Sequence, residues 1–148
     1  MNPETVIAVA RRLAFVRETD GQNRGLWVRM LQRFCGGQDG DPWCADYASF
    51  VLDVAYAGKS PLARTGSTKQ LLADARMKGL VVEAPVPGGL FFYVYATSRE
   101  PHHVGVVTSI DPLVGIAGNT SESGASSDGT GVFEHEIAAA NAVFVRLP

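Results

Sequence analysis

Three residue types in this chain could do covalent chemistry together: a cysteine ahead of an apolar run, histidines opening a valine-rich run, and an asparagine closing a glycine-rich one. Cys44 lies in Gly40-Asp41-Pro42-Trp43-Cys44-Ala45, directly before a stretch with helical character. A thiol at a helix N-terminus meets unpaired backbone N–H groups and the positive end of the helix dipole. Both favour the thiolate, which is the nucleophilic form. A cysteine nucleophile also needs a base for its proton, or an imidazolium to hold the thiolate. A further polar group must fix the imidazole tautomer. Together these groups would make a cysteine-nucleophile hydrolase.

The histidines are His102, His103 and His135. In an extended strand His102 and His103 point to opposite faces, so at most one serves a given site. His103 shares its face with Gly105, which leaves room for another group, and His103 is the expected base. His102, at the loop end after Pro101, is a candidate for lining a substrate groove, as is Trp43. His135 alternates with Glu134 and Glu136 and reads as an ordinary strand residue. Asn119 ends the run Leu113–Asn119. A hairpin through Asp111-Pro112 would bring it beside His103, so it is the expected orienting group. Cys35 closes the amphipathic run Leu26-Trp27-Met30-Leu31-Phe34 and reads as a small half-buried apolar residue. Without a secretory leader, free thiols are the default for both cysteines.

The elements that must position these groups divide the chain into a helical part, about 1–79, and a strand-rich part, about 80–148. The pattern reads as one α+β domain over 1–148. Helices are expected over Pro3–Val16, Leu26–Phe34, Trp43–Tyr56 and Thr65–Lys78. Asn2 and Pro3 start the first, and Ser67 with Gln70 has capping-box spacing at the fourth. The Trp43–Tyr56 segment is apolar nearly all round, the mark of a buried helix. Strands are expected over Val81–Glu83, Leu90–Tyr95, His103–Ile110, Leu113–Ala117, Val132–Ile137 and Ala142–Leu147. Their tight turns imply a mostly antiparallel sheet. The polar stretch Thr120–Gly131 reads as a loop.

Composition narrows the partners. The 148 residues are 46% hydrophobic with a net charge of −2, enough apolar content for one sizeable core. No basic footprint points to nucleic acid. No apolar run approaches the roughly 20 residues that span a bilayer. The first residues lack a basic n-region, and Arg11 and Arg12 interrupt the apolar part. The expectation is synthesis in the cytoplasm, with release or export to any external site of action.

Three segments in order resemble the CHAP domain family, the cysteine- and histidine-dependent amidohydrolases/peptidases. Gly40–Ala45 is similar to the family's nucleophile motif, His103-Val104-Gly105-Val106-Val107 to its histidine motif, and Ile116-Ala117-Gly118-Asn119-Thr120-Ser121 to the segment supplying its third residue. Gly129-Thr130-Gly131-Val132-Phe133, the Asn23-Arg24-Gly25 region and Leu90-Phe91-Phe92-Tyr93 fit too. The resemblance covers about Gly21 to the C-terminus.

It implies a papain-like α+β fold and cleavage of a peptidoglycan amide. That bond joins N-acetylmuramic acid to L-alanine or lies within the peptide stem or bridge. Such domains serve phage lysis and bacterial wall hydrolysis. Carried over by position, Cys44 is the nucleophile, His103 the base and Asn119 the orienting residue. No metal or other cofactor is required. Some relatives bind calcium through acidic residues before the cysteine; Asp39 and Asp41 are the candidates here, and two carboxylates are fewer than calcium takes. The chain departs from the family where Ala117 stands in place of Glu or another polar residue, and Gly89 in place of Asp. Two other readings remain open: a catalytically silent CHAP-like binding or structural module, and a cysteine hydrolase of a non-wall amide.

Overall fold

The structure, a computed structural model, describes residues 2–122 and 129–148. Part of the loop expected over 120–131 therefore lies outside the described residues. Four helices come first: α1 (Pro3–Arg12), α2 (Leu26–Phe34), α3 (Cys44–Ala55) and α4 (Thr68–Met77). Six strands follow: β1 (Val81–Val82), β2 (Leu90–Val94), β3 (Pro101–Ile110), β4 (Leu113–Thr120), β5 (Gly131–Glu136) and β6 (Ala142–Val145). They form one sheet in the order β1-β6-β2-β3-β4-β5, with every neighbouring pair antiparallel. The fold is α+β. No helix among the described residues is long and apolar enough to cross a membrane.

The helix boundaries follow from side-chain caps and tertiary pairing. The Asn2 side chain accepts from the Glu4 N–H, and Pro3 occupies the first helical position. Helix α1 stops at Arg12, short of the expected Val16. The Val16 carbonyl accepts from the Val132 N–H, and Arg17 bridges to Gly131. Pairing with β5 thus removes these residues from the helix. Helix α4 begins at Thr68 because Thr65 is tied elsewhere: Ser49 Oγ donates to its carbonyl and accepts from its N–H. Ser67 then caps, accepting from the Gln70 N–H at 3.2 Å.

Helix α3 is the central support. Its buried residues include Cys44, Ala45, Asp46, Tyr47, Ala48, Val51 and Leu52. It packs with α1 and α4 on one sheet face, against Leu90, Phe92, Val94, Val104, Val106 and Ile116. Close approach at its N-terminus requires a glycine: a Cβ on Gly118 of β4 would lie 2.8 Å from Trp43 Cζ3 and 2.8 Å from Tyr47 Cβ. The other sheet face carries a smaller cluster of Phe91, Val107, Ala117, Ile137 and Phe144. Strands β3 and β4 form the expected hairpin, joined through a cis Asp111–Pro112 bond. Strand β4 runs on to Thr120 and so takes in Asn119, beyond the expected end at Ala117.

Candidate active site

Cys44 is the first residue of α3, and Trp43, the preceding residue, offers no side-chain cap. The sulfur therefore sits where the first helical N–H groups are free. Burial pushes the Cys44 thiol up to about 11, while N–H groups of Val104, Ala45 and Cys44 itself are directed at the sulfur and favour the thiolate. The charge of Asp46 opposes them. Donors from a helix start and from strand β3 thus converge on one atom. The same donors suit an oxyanion formed beside that sulfur.

Cys44 opens onto a cleft of about 440 Å³ whose walls include Cys35, Asp41, Asp46, Ser67, Thr68 and His102. The histidine among the residues lining that cleft is His102; His103, the expected base, is not among them. A bulge falls between β2 and β3 at this point. Tyr93 pairs with His103, but Val94 pairs with Pro101, leaving His102 as the extra residue. A bulge re-aims the side chain it carries. The His102 ring stacks on Tyr95, with centroids 4.4 Å apart. No hydrogen bond joins His102 to Cys44 among the described residues; catalytic hydrogen bonds are often long in free enzymes and tighten on substrate.

His103 goes to the other cluster. It is fully buried and stacked on Tyr93 at 5.7 Å, with Phe91 at 6.3 Å. Among the described residues neither ring nitrogen has a hydrogen-bond partner. Burial holds its pKa down at about 3, with help from His135 and His102. The space expected beside Gly105 is filled: a Cβ there would lie 2.5 Å from Phe91 Cε1.

Asn119 is also buried, and among the described residues its Oδ1 has no hydrogen-bond partner. Because both His103 nitrogens are unpartnered, no hydrogen bond couples the two residues. Asn119 does not line the cleft with Cys44 and His102. Its φ is +54°, and a register shift falls between Ala117 and Thr120. Asn tolerates that left-handed conformation better than most residues, which gives this position a backbone reason for its residue type.

Trp43 is core rather than groove. It is fully buried, and its Nε1 donates to Glu18 Oε2 at 2.8 Å. Asp39 pairs with Arg29 and Arg33, at 3.1 and 3.2 Å. Asp41 Oδ2 accepts from the Gln38 N–H. Both carboxylates thus shape the loop before α3. No group of three or more His, Cys, Asp or Glu that could hold a metal occurs among the described residues.

Asp46 and Tyr95 are the site residues that sequence reasoning missed. Asp46 is two residues after Cys44 and only 2% exposed. Burial pushes its carboxyl up to about 7; contact with the Cys35 thiol lowers it, and Asp41 raises it. The available signal was a carboxylate in the first turn of an otherwise apolar helix. Tyr95 carried no such signal, because only the bulge places His102 against it.

No protein-family model matches this chain, and no curated protein or solved structure matches it either.

Proposed function

We propose that this chain is a cysteine-dependent amide hydrolase of papain-like organisation, acting on peptidoglycan. The observation that carries the proposal is Cys44 at the first residue of α3, with N–H groups of Ala45 and Val104 directed at its sulfur and His102 in the same cleft. The order of the nucleophile and histidine segments in the chain, similar to CHAP domains, supplies the substrate class.

In this mechanism His102 takes the Cys44 proton as the thiolate attacks the amide carbonyl. Backbone N–H groups near the sulfur hold the developing oxyanion. His102 then gives its proton to the leaving amine, and water hydrolyses the thioester. Tyr95 orients the imidazole by stacking, the part that Asn119 was expected to play by hydrogen bonding.

Fragment masses released from purified peptidoglycan test this directly. Wild type is expected to release amidase or endopeptidase products, and Cys44→Ala none. His102→Ala should lower kcat/KM by about 100-fold or more, the range of a general base. His103→Phe should retain most activity. Equal wall cleavage by Cys44→Ala would end the hydrolase proposal, and full activity in His102→Ala with loss in His103→Phe would restore His103 as base. Masses from non-wall amides, compared in parallel, separate a hydrolase of another substrate.

One observation favours the silent-module reading: burial leaves Cys44 mostly protonated near neutral pH, with a pKa of about 11. Alkylation of Cys44 no faster than a free thiol, together with absence of wall products, would select that reading.

A further inference from the structure

The floor of the Cys44 cleft carries a carboxyl that the hydrolytic steps do not use. Asp46 is buried and lines the cleft, and among the described residues its Oδ1 has no hydrogen-bond partner. Buried acceptors of this kind are rare unless something occupies them. The wall beside Asp46 is backbone: a Cβ on Gly66 would lie 2.6 Å from Asp46 Oδ1. Gly36 and Gly37 also line the cleft, leaving room at the mouth.

The charged side chains of the lining are acidic. Asp41 and Asp46 contribute carboxyls, Ser67 and Thr68 hydroxyls, and no Lys or Arg lines the cleft among the described residues. The groups acting on or acted on by Asp46 are Cys35 from the end of α2, Asp41 from the following loop and Cys44 from its own helix; His102 on β3 lines the same cleft. Arg64 acts on Cys35 but is engaged by Asp53 at 3.6 Å and lies over the Phe34 ring. An anion here would meet two carboxyls and no free cation. A cation would satisfy the orphaned acceptor.

We infer that this cleft contains a subsite for a primary ammonium group of the substrate, with Asp46 as its acceptor next to the scissile carbonyl held at Cys44. The inference rests on Cys44 as the reacting centre proposed above. It specifies that preferred amides carry a free amine close to the bond cleaved. It also couples binding to chemistry. An ammonium on Asp46 offsets the negative charge that opposes the Cys44 thiolate.

Small thiol reagents test the subsite without any hydrolysis. Wild-type protein is treated at pH 8 with 2-aminoethyl, ethyl and 2-sulfonatoethyl methanethiosulfonate, which are cationic, neutral and anionic. In each case the thiolate attacks the sulfenyl sulfur and methanesulfinate leaves. Peptide mass mapping separates Cys44 from Cys35, and each rate is divided by that reagent's rate with a free small thiol. The cationic reagent is expected to modify Cys44 about tenfold or more faster than the neutral one, as a nearby carboxylate dictates, and the anionic reagent slower still. Asp46→Asn, isosteric with the protonated carboxyl, should abolish the preference, and Asp46→Ser provides a second variant.

Equal normalised rates in wild type would overturn the inference outright. A preference that persists in either folded variant would also overturn it. Because the readout is thiol modification, the two proposals fail separately. Cation preference without wall cleavage supports the subsite and removes the wall hydrolase. Wall cleavage without cation preference does the reverse.

Discussion

At the scale of single residues, Asp46 sets the electrostatic character of the Cys44 cleft. Its folded pKa of about 7 lies above the ordinary value of about 3.9 because the carboxyl is buried. The native state therefore holds a proton that the unfolded chain has released between those two values. Stability from this group is full at low pH, falls as pH rises through that window, and stays reduced above about 7. Asp46→Asn removes the titration. The variant should melt several degrees above wild type at pH 8, with the difference shrinking toward zero near pH 4. Thermal melts across that range check it. A constant offset at all pH values would mean that the carboxyl is not the group titrating. The Cys35 thiol beside it is pushed up to about 12, chiefly by burial and then by the charge of Asp46. It acts as a donor to the carboxyl and makes a poor nucleophile.

At the scale of elements, the site depends on how closely α3 approaches β4. Gly118 is the contact that permits it, against Trp43 and Tyr47. Gly118→Ala forces the helix N-terminus away from the strand. Overpacking of this kind costs about 1–3 kcal/mol, so the melting temperature should drop by several degrees. Because Cys44 directly follows Trp43, kcat measured well below the melt should fall as well. Unchanged melting and activity would show that the helix start yields freely. The helices, the order of strands along the chain and the β3–β4 hairpin were legible in the sequence, because periodicity, Ser67, Asn2, Pro3 and the Asp111–Pro112 turn are local signals. Cys44 at the start of α3 was legible for the same reason. The side of the sheet taken by His102 and His103 was not. Which face of β3 meets the helices is a tertiary outcome. Val104 and Val106, of His102's parity, pack in the core with α3, and Val107, of His103's parity, packs in the other cluster. A bulge at His102 shifts the register between Tyr93 and Val94. The backbone conformation of Asn119 was equally hidden, because it is set where β4 shifts register against β5.

At the scale of the whole molecule, the sheet separates two environments, and His103 packs on the face away from the helices, while the His102 ring stacks on Tyr95 with Tyr93 6.5 Å away. The face toward the helices carries the cleft with Cys44 and His102. The far face holds His103 between apolar rings, with both nitrogens unpartnered. That arrangement makes His103 a term in acid stability. Its folded pKa of about 3 lies below the ordinary value of about 6.5. Between those values the unfolded chain binds a proton that the native state does not. Stability from the neutral buried ring is therefore full above about pH 6.5 and is lost progressively as pH falls toward 3. His103→Phe keeps a ring against Tyr93 and removes both orphaned nitrogens, a change that is close to neutral or stabilising when shape is conserved. Urea denaturation at pH 7 should find the variant at least as stable as wild type. At pH 4.5 the variant should be clearly the more stable, because only wild type loses free energy across this window. The outcome also bears on the site. Matching acid limbs in the two proteins would mean that His103 gains a proton in the folded state near pH 6.5. That requires contact with water or an acid partner, which its packing against Phe91 and Tyr93 does not provide.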